Sequence, residues 1–213
     1  AFRARQVESE DRPGKRQGAF CIPFRRARES RVFMTWSDTT TNLITLAHEL
    51  GHAWHNEVMW DLPRALNRVP STLAESASTF AEAVVRGAAL AQAPSESAEL
   101  ALLETDLQAA SVMLVNIPTR MCLELALFDE RARGPLDPAN LNAIMEGLQR
   151  AWYGPTLGQA DPTFWANKLH FYLTRSFYNY PYTFGYLFSS LIHARAMSEG
   201  PAWAPSYTAL LRD

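Results

Sequence analysis

Two histidines one helical turn apart are the residues best suited to do chemistry in this sequence. Residues 48–52 read His-Glu-Leu-Gly-His. On an α-helix, positions i and i+4 lie on one face, about 6 Å apart along the axis. Two imidazole nitrogens at that spacing can bind one metal ion at about 2.0–2.1 Å. His48 and His52 therefore predict half of a metal site, most simply for Zn²⁺, which cobalt or manganese can replace.

Glu49, directly after His48, has the residue type and position of a general base. Its carboxylate is expected beside a metal held by the two histidines and not on it. Zinc lowers the pKa of a bound water toward about 7, and a neighbouring carboxylate can accept a proton from that water. The motif therefore predicts hydrolysis by a water activated between zinc and Glu49.

Zinc held by two histidines needs a third protein ligand and an open fourth position. His55 lies about 10 Å along the helix axis from the first histidine, too far to share the ion, and is interpreted as a packing residue. Glu75 and Glu82 share one face of the next predicted helix, so either is a candidate ligand but not both. Ser78 and Thr79 face the same way as Glu75, which suggests a hydrogen bond to a ligand histidine.

The rest of the chain predicts the elements that position these groups. Residues 1–17 read as an arm or loop, with room for a short helix. Aromatic and β-branched residues at 18–24 and 31–36 predict an antiparallel ribbon. Capping residues at 37–41 begin the motif helix, and helical spacing predicts further helices, with a break at Pro118, over about 71–92, 96–116, 119–132, 139–153 and 181–198. The predicted fold is mainly α, a helical bundle with a small antiparallel β-ribbon before the motif helix, in one domain over 1–213.

Composition limits the function classes. Hydrophobic residues make up 47% and charged residues 20% of the chain, as in ordinary globular proteins. The net charge of -2 predicts no nucleic-acid partner and no attraction to a membrane surface. No apolar run approaches the roughly 18 residues that span a membrane. Cys21 and Cys122 form no Cys-x-x-Cys pair, and two free thiols favour a cytoplasmic location.

The C-terminal part of the chain is rich in groups that can donate a hydrogen bond to an oxyanion. These groups are His170, Tyr172, Tyr178, Tyr180, Tyr182 and Tyr186. Hydroxyl and imidazole donors stabilise the oxygen that becomes negative during peptide hydrolysis. Aromatic residues at such spacings more often fill a core. Composition alone leaves both interpretations open.

Three segments together resemble the M3 family of zinc oligopeptidases, which includes thimet oligopeptidase and oligoendopeptidase F. Residues 13–21, Pro-Gly-Lys-Arg-Gln-Gly-Ala-Phe-Cys, resemble the segment that leads into the family's active-site ribbon. Residues 46–53 and 74–82 resemble its metal-binding motifs. Residues 177–188, Phe-Tyr-Asn-Tyr-Pro-Tyr-Thr-Phe-Gly-Tyr-Leu-Phe, are similar to oligoendopeptidase F in particular.

The resemblance implies a zincin-like helical metalloendopeptidase that cuts oligopeptides in a deep channel. It implies that the base is Glu49 and that three ligands hold zinc: His48, His52 and Glu75. It implies that Tyr186 contacts the oxyanion or the substrate, and that Tyr178 and His170 are further groups in contact with the substrate. It also implies a strand that pairs with bound peptide through backbone hydrogen bonds, formed by Gly18, Ala19 and Phe20.

Full members of the family carry a long helical N-terminal region that forms the other channel wall, whereas this sequence begins just before the ribbon. Three arrangements follow: an enzyme with an open cleft, a chain that associates with an N-terminal domain, or a homodimer that covers the exposed wall. Two other functions remain open. One is a zinc carboxypeptidase of related fold, in which Arg175 would bind the terminal carboxylate. The other is a non-catalytic zinc- and peptide-binding fragment that needs an N-terminal partner.

Overall fold

A computed structural model describes residues 6–172 and 176–213 of the chain. The strands are β1 (Val7–Glu8), β2 (Ala19–Phe24) and β3 (Glu29–Met34). The α-helices are α1 (Thr40–Met59), α2 (Ser76–Ala91), α3 (Glu96–Ser111), α4 (Ile117–Arg133), α5 (Pro138–Tyr153), α6 (Tyr180–Glu199) and α7 (Ala204–Leu210). The predicted fold class, mainly helical with a small sheet before the motif helix, is confirmed.

The three strands form one sheet in the order β1-β3-β2. β2 and β3 pair antiparallel, as the sequence predicts. β1 pairs parallel with β3, so the expected arm or helix at 1–17 is wrong for Val7–Glu8. Long-range contacts hold this segment on β3: the Val32 N–H donates to the Gln6 carbonyl at 2.8 Å, and the amine of Lys15 donates to the Met34 carbonyl at 2.6 Å. A long-range contact of this kind leaves no local periodicity in the sequence.

The motif helix α1 begins as the sequence predicts. The hydroxyl of Thr39 caps it by accepting a hydrogen bond from the backbone N–H of Asn42 at 3.1 Å. Helix α1 packs against both α2 and the sheet. Its buried residues are Ile44, Ala47, Glu49, Gly51, His55, Val58 and Met59. Burial by these neighbours fixes how the helix is oriented between them.

The predicted break at Pro118 is wrong, because the helix continues from Glu96 to Arg133. A proline ring needs space against the carbonyl group one turn earlier and lacks an N–H. A wider π-helical turn at Val112–Asn116 provides that space. The hydroxyl of Thr119 then donates to the Val115 carbonyl at 2.7 Å. Among the described helices this one alone is long and apolar enough to cross a membrane, so the expectation that no run approaches that length is wrong here. One such helix is weak evidence for a membrane span, because core helices pass the same test.

The chain divides into two compact units. The first unit comprises residues up to Leu102 and the segment Phe184–Asp213, and it contains the sheet, α1, α2 and α7. A hydrophobic core formed by Val58, Met59, Ala77 and Leu211 joins the motif helix, α2 and the C-terminal residues.

The second unit comprises Leu103–Thr183 and contains α4 and α5. Short 3₁₀ turns follow α5, and the side chain of Gln149 fixes them by exchanging hydrogen bonds with the backbone of Asp161 at 3.0 and 2.7 Å. The fold over 1–213 as a single domain stays a prediction.

Candidate metal centre

α1 presents His48 and His52 side by side. Their ring centroids lie 4.9 Å apart, and the ring planes are nearly perpendicular, at 83°. Both side chains are partly buried, with 20% and 25% of their surface exposed. The i, i+4 spacing therefore brings the two imidazoles together without closing them off from a ligand.

Glu75 completes a group of three donors with these histidines. Its Oε2 atom lies 3.2 Å from Nε2 of His48 and 3.3 Å from Nε2 of His52. All three donor atoms lie within 4.8 Å of one another. Glu75 is the residue directly before α2, whereas the sequence predicted a helix already running from about residue 71; Ser71–Leu73 instead forms a short 3₁₀ turn.

The donor set fits a zinc ion. Two neutral imidazole nitrogens and one carboxylate oxygen, converging on one point, are the protein ligands of catalytic zinc sites that keep a fourth position open. His48, His52 and Glu75 would hold the ion. Nitrogen-rich donor sets of this kind also bind cobalt.

Glu82, the alternative ligand, lies on the opposite side of His48. Its Oε1 atom is 2.7 Å from Nδ1 of His48, and its Oε2 accepts a hydrogen bond from Nη2 of Arg86 at 2.7 Å. A carboxylate on Nδ1 holds the imidazole proton there, which leaves the Nε2 lone pair facing the donor group. This series of contacts from Arg86 through Glu82 to His48 is not predicted from the sequence, although the i, i+4 spacing of Glu82 and Arg86 is visible there.

The hydroxyls of Ser78 and Thr79 serve Glu75 and not a histidine, which corrects the expectation from sequence. The Ser78 hydroxyl lies 2.9 Å from both Oε2 and the backbone carbonyl oxygen of Glu75. The Thr79 hydroxyl lies 2.6 Å from the same carbonyl and 3.0 Å from the carbonyl of Gly185 on α6. These contacts fix the ligand carboxylate and the backbone that carries it.

Two glycines allow other helices to approach the Glu75 segment. A Cβ atom on Gly51 would lie 2.5 Å from the Ala77 carbonyl oxygen, and one on Gly185 would lie 2.9 Å from Cβ of Glu75. Real Cβ contacts are never that short, so α1 and α6 can pack here only because neither position has a side chain. This close packing explains why position 51, within the His-Glu-Leu-Gly-His motif, is a glycine.

The charges of the group are strongly coupled. Burial lowers the pKa of His48, but the carboxylates of Glu75 and Glu82 outweigh it and raise that pKa to about 10. Burial raises the pKa of Glu75, but hydrogen bonds from the two histidines outweigh it and hold that pKa well below its usual range. A metal ion would replace the proton that these partners favour.

Glu49 is a buried residue of α1, with 6% of its surface exposed. Burial raises its pKa, and the charges of His48 and His52 oppose that effect. The Cys21 thiol of β2 lies close enough for the negative charge of Glu49 to affect it: burial, with a smaller contribution from Glu49, raises the Cys21 pKa to about 11. β2 therefore runs beside the candidate base.

The predicted peptide-binding residues lie at the start of β2, which is an edge strand of the described sheet. Gly18 has a φ of +113°, a conformation that favours glycine, and its carbonyl accepts from the Thr35 N–H at 3.3 Å. Ala19 and Phe20 follow, and the Phe20 ring stacks on Phe33 at 4.8 Å. An edge strand has backbone groups that can pair with a further chain, so the position suits the predicted role.

The three predicted oxyanion or substrate contacts fall in different units. Tyr186 lies on the part of α6 that belongs to the first unit. His170 and Tyr178 lie in the second unit, where their rings are 5.2 Å apart and Nδ1 of His170 is 2.8 Å from Oδ1 of Asn179. The roles of all three stay predictions, and Arg175 lies outside the described residues.

Comparison with known proteins identifies the family to which the chain belongs. The sequence profile of peptidase family M3 matches residues 2–212. Chromosomal oligoendopeptidase F of Lactococcus lactis subsp. cremoris is 29% identical over 199 residues, which is 90% of this chain and 32% of that protein. Group B oligopeptidase PepB of Streptococcus agalactiae serotype III (strain NEM316) is 26% identical over 220 residues, which is 100% of this chain and 35% of that protein.

Solved structures show the same fold. PZ peptidase A with an inhibitor has a TM-score of 0.78 at 17% identity, over 99% of this chain and 38% of that chain. A peptidase from Chlamydophila abortus has a TM-score of 0.75 at 23% identity, over 97% of this chain and 35% of that chain. The chain thus spans about a third of the length of the relatives it matches. Because the family profile matches nearly all of its residues, the protein belongs to peptidase family M3.

Proposed function

We propose that this chain is the catalytic part of a zinc-dependent endopeptidase that hydrolyses oligopeptides. The observation that carries the proposal is the convergence of Nε2 of His48, Nε2 of His52 and Oε2 of Glu75, with Glu49 on the same helix. The M3 match and the names of the relatives support a peptidase acting on oligopeptides. Bound zinc would supply Lewis acidity that polarises the scissile carbonyl and makes a water nucleophilic near neutral pH.

Residues of the chain transfer the proton and orient a metal ligand. Glu49 accepts a proton from the attacking water and passes it to the leaving amine. Its burial favours the protonated form more than solvent would, which suits a group that must both take and give a proton. The Glu82 carboxylate keeps the proton of His48 on Nδ1, so that Nε2 stays an electron-pair donor.

β2 positions the peptide by pairing with its backbone, from Gly18 through Phe20. Tyr186, Tyr178 and His170 are the proposed donors to the oxyanion or to the substrate. Because the chain spans about a third of its relatives, we propose that an N-terminal segment or a second copy completes the substrate channel. The cytoplasmic location and the lack of nucleic-acid and membrane partners stay predictions.

The test is the variant Glu49→Gln, assayed on a quenched-fluorescence peptide. We expect hydrolysis to fall by about 10²–10⁴-fold, because the proton acceptor is removed, while metal analysis finds zinc bound as in the wild type. Glu57→Gln, an exposed position on the same helix, is the matched control and is expected to retain full activity. Normal hydrolysis by Glu49→Gln would exclude the proposed mechanism.

A chelator provides the complementary test. Hydrolysis should cease on chelation and return on addition of zinc, because the proposed reaction needs the ion that the three donors would hold. A chain that binds zinc but cleaves no peptide, alone or with an N-terminal segment of a relative, would instead be a binding fragment. Amidating the C-terminus of the peptide distinguishes an endopeptidase from a carboxypeptidase. An endopeptidase still cuts the amidated peptide, whereas a carboxypeptidase does not.

A further inference from the structure

Two cations in the second unit share one aromatic ring. Cζ of Arg120, on α4, lies 5.3 Å from the Phe164 ring centroid, and Nζ of Lys168 lies 4.2 Å from the same centroid. In the part of the chain that the structure describes, neither side chain has a carboxylate partner or a hydrogen bond. The Nε atom of Arg120 is shielded from solvent and has no acceptor.

Such an arrangement holds two like charges near one ring, and among the described residues no carboxylate forms an ion pair with either. Burial lowers the pKa of both cations, and the charge of Arg120 lowers the pKa of Lys168 further. Asp161 attracts Lys168, but its Oδ1 accepts from the backbone N–H and the hydroxyl of Thr163 at 3.0 and 2.7 Å. A guanidinium removed from water without a partner carries a desolvation cost that a bound anion would offset.

The surroundings of Arg120 favour an organic anion. The Tyr153 hydroxyl accepts from Nδ2 of Asn116 at 2.7 Å, so its own O–H is free to donate. Tyr153 and Tyr182 both act electrostatically on the Arg120 charge. The Tyr182 ring stacks on His170, with centroids 5.6 Å apart and planes 7° apart. Aromatic faces next to cationic donors suit a charged group attached to an apolar or peptide body.

We propose that Arg120 and Lys168 form a binding site for a carboxylate of a peptide. The planar guanidinium matches a carboxylate with two parallel hydrogen bonds, and the lysine adds a point charge. The inference rests on the proposed function for its ligand class, since an oligopeptidase meets peptide carboxylates in its substrates. The carboxylate is either the C-terminal group or an acidic side chain.

The experiment measures peptide binding in the hydrolysis-deficient Glu49→Gln chain, by fluorescence anisotropy at low salt. The probes are one labelled peptide with a free C-terminus, the same peptide amidated, and an amidated version with an internal glutamate. We expect at least one carboxylate peptide to bind about tenfold more tightly than the neutral amide, as a charge-assisted hydrogen bond allows. Which of the two binds more tightly identifies the source of the carboxylate.

Variants assign the effect to this site. Arg120→Met should abolish the tenfold difference, and Arg120→Lys should restore part of it, because the charge remains but the fork is lost. Arg131→Met, an exposed position on the same helix, is the matched control and should keep the difference. Lys168→Met, at a less buried position, should weaken carboxylate binding as well.

Stability separates this role from a structural one. Removing an unpaired, desolvated charge should leave the thermal midpoint of Arg120→Met unchanged or raise it, whereas a structural role predicts a lower midpoint. Equal binding of all three peptides, or an undiminished difference in Arg120→Met, would overturn the proposal. Because binding is measured without turnover, carboxylate discrimination in a chain whose wild type hydrolyses nothing would reject the proposed function and leave this site standing.

Discussion

His48 is held between two carboxylates, one on each ring nitrogen. Glu75 faces Nε2 and Glu82 faces Nδ1, and Arg86 fixes Glu82 from the far side. The arrangement sets the proton on one nitrogen and the lone pair on the other, which a metal ligand requires. The metal affinity of the site should therefore depend on residues that never contact the ion.

Glu82→Gln tests this dependence. The amide oxygen can still accept the Nδ1 proton but lacks the charge that keeps it there, so we expect the dissociation constant for zinc to rise about 10–100-fold. Competition with a fluorescent chelator measures it, and Glu57→Gln should bind zinc as the wild type does. An unchanged zinc affinity in Glu82→Gln would mean that the Glu82–His48 contact has no role in holding the metal.

At this scale the sequence predicts the histidine pair and its base from spacing alone, but not the division of work between Glu75 and Glu82. Both carboxylates are compatible with one helical face. Which one faces Nε2 of both histidines depends on where α2 begins and how closely α1 approaches it. That approach is set by tertiary packing at Gly51, which no local pattern reports.

At the scale of elements, α1 and α6 both pack closely against the segment that leads into α2, an arrangement we call the clamp. Gly51 allows the first contact and Gly185 the second, and the Thr79 hydroxyl joins the Gly185 carbonyl at 3.0 Å. The candidate ligand Glu75 lies within this clamp. A Cβ atom at Gly185 would meet Glu75 itself, and one at Gly51 would meet the backbone of Ala77 and Ser78, so a side chain at either position must shift this segment.

Gly51→Ala is predicted to destabilise the chain by about 1–3 kcal/mol through overpacking and to weaken zinc binding. Gly87→Ala, on α2, is the matched control, because its Cβ would meet the His193 ring at an ordinary 3.7 Å. That variant should be neutral or more stable by up to about 1 kcal/mol, from helix propensity. Urea unfolding followed by circular dichroism measures both, and equal stability of the two variants would contradict the clamp.

Sequence patterns predict the ribbon and most helices of this chain because their signals are local. They fail where a feature depends on its neighbours. The two-residue strand Val7–Glu8 depends on pairing with the distant strand β3, and the helix passes through Pro118 because a π-helical turn accommodates the ring. Likewise, no compositional signal marks the points at which α3 and α6 pass from one compact unit to the other.

At the scale of the whole molecule, the C-terminal residues are part of the first unit's core. Nε2 of His55 donates to the Leu211 carbonyl at 3.1 Å, and Leu211 packs with Val58 and Met59. Burial lowers the pKa of His55, the Leu211 hydrogen bond opposes this, and the charge of His52 adds to it. The folded chain therefore favours neutral His55.

This shift predicts a pH dependence of stability. Because the folded pKa lies below the ordinary value, the unfolded chain binds the proton more readily, and the contribution of His55 is full above about pH 6.5 and decreases as the pH falls below it. Relative to His55→Gln, the wild type should be more stable by about 1–3 kcal/mol at pH 7.5 and by less at pH 5.5. Urea unfolding of both proteins with saturating zinc measures the difference, and a difference that grows on acidification would contradict the assignment.

Apolar side chains on two long helices predict association. Leu100 and Leu107 of α3 are 68% and 70% exposed, and Leu191 of α6 is 69% exposed. Exposed apolar surface of this kind marks contact with another chain or segment. We expect the purified chain to self-associate in light scattering unless an N-terminal segment of a relative is added. Leu107→Lys with Leu191→Lys should lower that association, and a monomer at all concentrations in the wild type would contradict it.

The hydrogen bond from Thr79 to Gly185 joins residues that are 106 positions apart. A ribosome adds roughly 5–20 residues per second, so roughly 5–20 s separate the synthesis of the two partners. During that interval the nascent chain already carries the three candidate zinc ligands but lacks α6, one side of the clamp that holds Glu75. We therefore expect the chain to acquire its metal, and any peptidase activity that depends on it, only after α6 has been made.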